Sequence, residues 1–259
     1  MEMEQITTYV INLKDSTRRK AYMEDVLSPC SDFLKIQYVE AVDGRKYSKE
    51  QLWAIWRQKE AFKEYGRYMI DVEIGCALSH RKCCELLLQT KEEVALILED
   101  DLVWQVVDVK KIVTEAAQVI KGGRPTIILL SGDYWFTTKR SVGKLCLANV
   151  REAVCTQAYL VNRKAAQLIV SAQRKYLADD WFNIKKQGIR LYGCYPHIAD
   201  QNRRDFATEI SEDYAGVKRE NMSFGHRLYS YYRAIVKRIL VHTGHFESKH
   251  FLLKDGCKC

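Results

Sequence analysis

Three adjacent carboxylates stand at the end of a short apolar run and are the clearest candidates for chemistry in this chain. The run covers residues 94–98, and the acids that follow it are Glu99, Asp100 and Asp101. Such a run predicts a strand buried on both faces. Its three charges repel one another unless a cation joins them, and Mg²⁺ or Mn²⁺ takes oxygen ligands from carboxylates and phosphates. The pattern predicts a metal and nucleotide site, with a solvated acidic turn as the alternative.

A second acid pair, Asp179-Asp180, lies beside Trp181 and Phe182. A carboxylate next to aromatic rings suits general-base chemistry on a sugar hydroxyl, because the rings can stack on a pyranose face. The alternative is a helix cap, since aspartate often precedes a helical segment. The two interpretations can apply to different members of the pair.

Two arginines, Arg18 and Arg19, follow the first predicted strand and lie one turn into the next helix. A helix N-terminus attracts phosphate, and an arginine there could hold a diphosphate; ordinary surface arginines are the alternative. At the end of the second predicted strand, Asp43-Gly44 stands where a doubly wound fold places an acid near a ribose hydroxyl. The chain lacks a Gly-x-Gly-x-x-Gly motif, so a single nucleotide is favoured over a dinucleotide cofactor.

Residues 74–80 combine small residues with a polar pair, Ser79 and His80. Small side chains let a helix approach a sheet or a ligand closely, and His80 could contact a phosphate or a sugar. A structural, hydrogen-bonded histidine is the alternative.

The elements that must position these residues alternate between strands and helices. Residues 7–13 and 33–42 with a helix between them form a predicted βαβ unit, which favours a parallel sheet. The other predicted strands cover residues 94–98, 126–130 and 154–161. The predicted helices cover residues 16–27, 48–65, 71–88, 109–120 and 165–174, with a short segment beginning at 178. The expected fold class is α/β.

Composition indicates a folded globular protein rather than a linker or a low-complexity chain. Its 259 residues are 47% hydrophobic and include only 3 prolines, which is enough for one large core. No stretch reaches the ~18 apolar residues of a spanning helix. The nine cysteines are scattered and suggest free thiols in a reducing compartment, so a cytoplasmic location is expected.

Charge is concentrated at the end of the chain. Residues 217–259 hold nine lysines and arginines against three acids, or +6 of the net +8. Residues 226–243 place apolar side chains at helical spacing between basic ones, which predicts an amphipathic helix at an anionic membrane surface. The alternative is a helix that docks its apolar face on the domain. We divide the chain into a domain at 1–215 and this basic segment at 216–259.

The motifs in series resemble glycosyltransferase family 25, which includes lipopolysaccharide-type galactosyltransferases. The matching stretches are residues 9–13 with Arg18-Arg19, 41–44, 73–80 and 95–101, with weaker matches at 157–161, Ala165-Ala166, Asp179-Asp180, Pro196 and Gln201. The resemblance runs from about residue 7 to residue 211.

This resemblance implies a GT-A-like fold: a single Rossmann-type nucleotide-sugar-binding domain with a mostly parallel central sheet. It implies UDP-galactose as donor, Mn²⁺ or Mg²⁺ as metal, and transfer with inversion to a lipooligosaccharide or lipopolysaccharide glycan. Asp101 and Glu99 would hold the metal, and Asp180, favoured over Asp179, would be the base. The expected donor-binding residues are Asn12, Leu13, Arg18, Arg19, Asp43, Gly44, Ser79, His80 and Asp100.

Three points stay open at this stage. A further metal ligand could be His197, His226 or His245. The basic tail would hold the enzyme peripherally at the inner face of the cytoplasmic membrane. The alternatives to an enzyme are a nucleic-acid-binding protein, suggested by the positive charge, and a non-catalytic scaffold at a membrane.

Overall fold

A computed structural model describes residues 5–106, 108–206 and 224–248. Strands and helices alternate over most of this length, as expected for an α/β fold. The strands are β1 Ile6–Asn12, β2 Leu34–Glu40, β3 Val94–Glu99, β4 Leu102–Trp104, β5 Thr126–Leu129, β6 Tyr134–Val142, β7 Leu145–Ala153, β8 Ala158–Asn162, β9 Arg190–Cys194, β10 Ala199–Gln201 and β11 Phe246–Glu247. The helices are α1 Thr17–Leu27, α2 Lys49–Ile55, α3 Gln58–Tyr65, α4 Asp71–Gln89, α5 Val109–Ile120, α6 Arg163–Ser171, α7 Trp181–Lys185 and α8 Phe224–His242.

One large sheet forms the centre of the described fold. Its strand order is β11-β6-β7-β9-β5-β8-β3-β1-β2, and β4 pairs with β10 in a separate small sheet. The predicted βαβ unit is confirmed, because β1 and β2 pair in parallel. The sheet as a whole is mixed, which corrects the expectation of a mostly parallel one: β8 runs antiparallel to both of its neighbours.

The antiparallel half of the sheet comes largely from a hairpin that the sequence did not predict. Strands β6 and β7 are joined by a tight turn in which Gly143 has φ +59°, and strands joined so closely must run antiparallel. Beyond Phe136, β6 is mostly exposed, so no alternation of apolar and polar residues marks it in the sequence.

Strand β3 is buried on both faces, as its apolar run predicted. Leu96 and Leu98 face one hydrophobic core, which includes α1 and α5. Ala95 and Ile97 face the other, which includes α4 and α6. Alternate residues of the strand pack into the two cores. Its last residue, Glu99, therefore lies at the carboxyl end of a strand that is packed on both faces.

Two glycines allow helix α4 to lie directly against the loop after β2. A Cβ on Gly44 would stand 1.8 Å from the carbonyl oxygen of Asp71, and one on Gly75 would stand 2.4 Å from that of Val42. No other residue fits either position without a shift of backbone. The close approach brings Ser79 and His80, one turn further along the helix, to the carboxyl ends of the strands.

Two further element predictions need correction. Residues 48–65 form two helices, α2 and α3, because Trp56 between them has extended backbone and is buried. The strand expected at 154–161 begins only at Ala158; residues 154–157 form a connection in which Cys155 has φ +75°.

Helix α8 confirms the helix expected near the end of the chain. The boundary proposed at residue 215/216 lies outside the described residues, as do Cys257 and Cys259. The seven described cysteines are free thiols. Within the described ranges, no helix has both the length and the apolar character needed to cross a bilayer.

Candidate active site

The candidate site is a cavity at the carboxyl ends of β1 and β3, where an open α/β sheet commonly binds ligands. Predicted residues from five separate stretches of the chain line it. They are Leu13, Arg19, Asp43, Gly44, Ser79, His80, Glu99, Asp100 and Asp101. Asn12 and Arg18 are not among the lining residues, and Gln201, known only from a weak motif match, is.

Asp101 is the most buried of the three clustered acids, with 3% of its surface exposed. Its Oδ2 accepts hydrogen bonds from Arg19 at 2.9 Å and from Gln201 at 2.8 Å. Its Oδ1 is buried and has no hydrogen-bond partner among the described residues. Burial, followed by the charge of Glu99, raises the pKa of Asp101 to about 6. A buried carboxylate oxygen without a partner is costly, and a water molecule or a cation bound there would satisfy it.

Asp100 is tied to the first βαβ unit. It accepts a hydrogen bond from Arg19 at 2.7 Å and one from Asn12 at 2.8 Å. Burial raises the pKa of Asp100, although the charge of Arg19 opposes this effect. Asn12 thus reaches the site through Asp100 rather than by lining the cavity.

The two predicted arginines have different surroundings. Arg19 contacts both Asp100 and Asp101 through the same nitrogen, Nη1. Both arginines lie over the ring of Phe206, with Cζ of Arg18 5.3 Å and Cζ of Arg19 5.0 Å from its centroid. Only Arg19 reaches the carboxylates, because residues adjacent on a helix point about 100° apart.

Glu99 belongs to a different set of contacts. Its Oε1 lies 3.2 Å from Nε2 of His80 and accepts a hydrogen bond from Thr156. The other ring nitrogen of His80 lies 3.0 Å from the hydroxyl of Tyr159. Burial acts to raise the pKa of Glu99, but the hydrogen bond and charge of His80, the hydrogen bond from Thr156 and the charge of Arg19 together outweigh it and leave that pKa below its usual value. Ligand atoms of Cys76, His80 and Glu99 lie within 4.8 Å of one another.

The opposite wall of the cavity is formed by the loop after β2. Asp43 pairs with Arg45 at 2.8 Å, and this hydrogen bond lowers the pKa of Asp43. Ser79 accepts a hydrogen bond from the amide of Val42 at 2.8 Å and donates one to the carbonyl of Gly75 at 2.7 Å. Its hydroxyl therefore fixes the loop to α4.

The second acid pair separates into two roles. Asp180 caps α7: it accepts hydrogen bonds from the amide of Asn183 at 3.2 Å and from the hydroxyl of Tyr65 at 2.6 Å. Burial raises the pKa of Asp179; a hydrogen bond with the amide of Cys155 opposes this, and the charges of Asp180 and Glu99 add to it. Asp179 thus lies within electrostatic range of Glu99 at the end of β3.

None of the three histidines considered as further ligands lines this cavity. His197 is fully buried and pairs with Glu247 at 2.7 Å, and His245 lies next to Thr243. His226 belongs to α8. The histidine in the described site is His80. Thr156 was missed by the sequence analysis, since no local pattern marks it, and Tyr159 was included only in the weak motif match at 157–161, without a role in the site.

The residues present fit a hard divalent cation. Glu99, Asp100 and Asp101 supply carboxylate oxygens, the donors that Mg²⁺ and Mn²⁺ prefer. The partnerless Oδ1 of Asp101 is an oxygen that such an ion would satisfy. Arg19 already supplies positive charge on the other side of the same carboxylates.

A family model described as glycosyltransferase family 25 (LPS biosynthesis protein) matches residues 5–182. The fold is distantly similar to that of A197 from STIV, with 10% sequence identity and a TM-score of 0.38 over 73% of this chain and 81% of that one. It is as distantly similar to the inositol-1-phosphate CTP transferase from T. maritima, with 8% identity and a TM-score of 0.38 over 82% and 96% of the two chains. Structural likeness at this level carries no argument about function.

Proposed function

This chain belongs to glycosyltransferase family 25, and from that premise we propose that it transfers a hexose from a UDP-sugar to a hydroxyl group of a lipopolysaccharide glycan. The family match confirms the resemblance read from the motifs and supports a glycosyltransferase of lipopolysaccharide biosynthesis. Galactose as the hexose, dependence on Mn²⁺ or Mg²⁺ and inversion at the anomeric carbon are our proposals. The observation that carries the metal proposal is the buried Oδ1 of Asp101, which has no hydrogen-bond partner among the described residues.

We assign the metal to Asp101, with Glu99 and Asp100 in support. A bound Mg²⁺ or Mn²⁺ would supply positive charge that stabilises the leaving diphosphate. Arg19 supplies part of this charge from the chain itself, since its guanidinium lies 2.9 Å from Asp101. Arginine suits this role because its charge persists at any physiological pH.

The nucleoside half of the donor is assigned to the wall opposite the acids. Asp43 is partly exposed there and could accept hydrogen bonds from ribose hydroxyls. Leu13 and Gly44 leave room for a flat base, and Ser79 keeps this loop against α4.

We assign the general base to Asp179 rather than to Asp180, which reverses the preference taken from sequence. Asp180 is occupied as a helix cap and as the acceptor for Tyr65. Burial holds the pKa of Asp179 above its usual value, which improves a carboxylate as a proton acceptor near neutral pH. Asp179 would remove the proton of the acceptor hydroxyl as its oxygen attacks the anomeric carbon on the face opposite the diphosphate.

The acceptor is proposed to be a growing lipooligosaccharide at the inner face of the cytoplasmic membrane. Such a glycan is carried on lipid, so the enzyme would act close to an anionic surface. The positive charge of residues 217–259 supports this location.

The decisive experiment is a UDP-release screen across nucleotide sugars with a lactose- or glucose-ended acceptor. We expect release from UDP-galactose with Mn²⁺, loss of release with EDTA, and loss in the Asp101→Asn variant. NMR of the product gives the anomeric configuration. Release that is unchanged by EDTA and by Asp101→Asn would overturn the metal assignment. Transfer from a non-UDP donor alone would overturn the assigned donor.

A further inference from the structure

Helix α8 presents a row of apolar side chains to solvent. Five residues at helical spacing form this exposed stripe: Leu228, Tyr231, Tyr232, Ile235 and Ile239, with Leu228 at 61% and Tyr231 at 66% of full exposure. Their spacing of three, four, seven and eleven residues places them on one face of the helix. A face of this kind is unusual on a soluble surface and indicates contact with a partner.

The opposite face of the same helix is already used for docking on the body of the protein. Arg233 and Lys237 both pair with the buried Glu152, at 2.7 Å and 3.1 Å. The guanidinium of Arg233 also lies over the ring of Phe182, and Lys237 lies over Trp135. Because these contacts hold the opposite face of α8 against the protein, the stripe faces solvent.

The charges around the stripe are positive. Helix α8 contains no aspartate or glutamate in its 19 residues. Arg227 and Arg238 lie along one border of the stripe. On the other border, Arg151 lies 6.0 Å from the centroid of Tyr232, and Lys186 lies 5.2 Å from that of Tyr229. The occupant must therefore be apolar at its centre and anionic around it.

We propose that the exposed stripe and its basic border form a docking surface for an anionic phospholipid bilayer. The stripe would enter the boundary between head groups and acyl chains, where tyrosine rings are favoured, and the border residues would contact lipid phosphates. The surface is connected to the proposed base, because Phe182 contacts α8 and lies three residues along the chain from Asp179. In this respect the inference deepens the proposed function, whose acceptor is carried on lipid.

Charge disfavours two other occupants. A second copy related by a two-fold axis would place Arg227 and Arg238 of both copies against the same basic border. Residues 249–259 carry three lysines and one aspartate, so they are also repelled. Residues 207–223 carry four acids and two basic residues, so their charge does not exclude them. The experiment distinguishes binding of this segment to the stripe from binding of a membrane.

The test is sedimentation of the full chain with vesicles of phosphatidylcholine alone or of phosphatidylcholine with about one third phosphatidylglycerol, which makes the surface anionic. We expect binding only to the anionic vesicles, with loss in high salt. Ile235→Glu should weaken this binding at least about tenfold, since it places a charge in the stripe. Ser230→Glu is the matched control: it adds the same charge to the same helix outside the stripe and should weaken binding less than about threefold.

Thermal unfolding verifies that both variants are folded, and size-exclusion chromatography reports the oligomeric state. Binding that does not distinguish the two variants would overturn the proposal. A wild-type dimer that Ile235→Glu converts to a monomer would also overturn it. So would the absence of binding to anionic vesicles, which is the result expected if residues 207–223 cover the stripe. The assay contains no sugar substrate, so its failure is distinct from a failure of sugar transfer.

Discussion

Two buried clusters of arginine and carboxylate in this molecule differ in how completely they are satisfied. In the first, Arg67 and Glu73 form two parallel hydrogen bonds of 2.7 Å and 2.6 Å, one to each carboxylate oxygen. Glu73 also accepts the amide of Ile70 at 3.1 Å, which caps helix α4. Each oxygen has a partner, so the cluster is closed and needs nothing from outside.

In the second cluster, a single nitrogen of Arg19 serves both Asp100 and Asp101. Oδ1 of Asp101 remains buried without a partner among the described residues. Burial is similar in the two clusters, so burial alone does not separate a structural ion pair from a binding site. The difference is that one carboxylate oxygen of the second cluster has no hydrogen-bond partner. Such an oxygen is expected where a ligand supplies the missing partner.

The strongest test of this difference is Asp101→Asn. We expect kcat/KM for sugar transfer to fall at least about 10³-fold, or about 4 kcal/mol, because the amide cannot offer a charged oxygen. The unfolding midpoint should be no lower than that of the parent, since the amide oxygen can still accept from Gln201 and the neutral amide avoids the cost of burying a charge. Electron paramagnetic resonance of Mn²⁺ with UDP gives a readout independent of turnover.

The matched control for that variant is Asp108→Asn, which changes an exposed acid outside the site. Its activity should lie within about twofold of the parent, as expected for a surface substitution. Full activity of Asp101→Asn, or unchanged Mn²⁺ binding, would remove the distinction between the two clusters.

Glu73→Gln should have the opposite profile. Removing one charge of a closed buried pair leaves Arg67 uncompensated and should cost about 3 kcal/mol of unfolding free energy. Urea denaturation measures this loss. The double variant Arg67→Met with Glu73→Leu should recover much of it, because apolar residues can replace a buried pair. A Glu73→Gln variant as stable as the parent would show that the charge of Glu73 does not contribute to the stability of this cluster.

The same reasoning separates Asp179 from Asp180. Asp180→Ala removes a helix cap and the acceptor of Tyr65, so we expect a loss of about 1–2 kcal/mol in stability and little change in kcat. Asp179→Asn should lower kcat about 10²-fold with a small change in stability. Comparing kcat with the urea midpoint for both variants decides the assignment. A kcat loss confined to Asp180→Ala would restore Asp180 as the base.

Sequence was informative where a pattern is local. Helix α5 runs from Val109 to Ile120, the range that periodicity predicted, and β3 was identified from its apolar run. The hairpin of β6 and β7 was not predicted because residues 137–141 of β6 are all exposed, so burial imposes no period on them. The hairpin and the antiparallel strand β8 make the sheet mixed, whereas the local sequence pattern predicted only βαβ units.

Within the site, sequence predicted the kinds of residue better than their partners. The sequence gives no reason to prefer Arg18 or Arg19 as the partner of the acids. Only the orientation of the helix brings Arg19 to Asp100. Thr156 and Gln201 reach the acids from 57 and 100 residues away. Such contacts depend on the packed fold, so no spacing rule reveals them. The roles assigned to these residues in catalysis stay predictions.

The smallest expected effect is a dependence of stability on pH that belongs to the open cluster alone. Asp101 has a pKa of about 6 in the folded protein, against 3.8 for an unperturbed aspartate. The folded state therefore binds this proton more tightly than the unfolded state, and the unfolding free energy falls as pH rises from about 4 to about 6. Urea denaturation without divalent metal, at pH 4.5 and pH 7, measures this loss of unfolding free energy. We expect the loss to be about 1 kcal/mol smaller in Asp101→Asn than in the parent. Adding Mn²⁺ at pH 7 should restore stability only in the parent, because the ion binds the ionised carboxylate. An equal pH slope in both proteins would mean that burial of Asp101 has no cost, and the argument from its unpartnered oxygen would then fail.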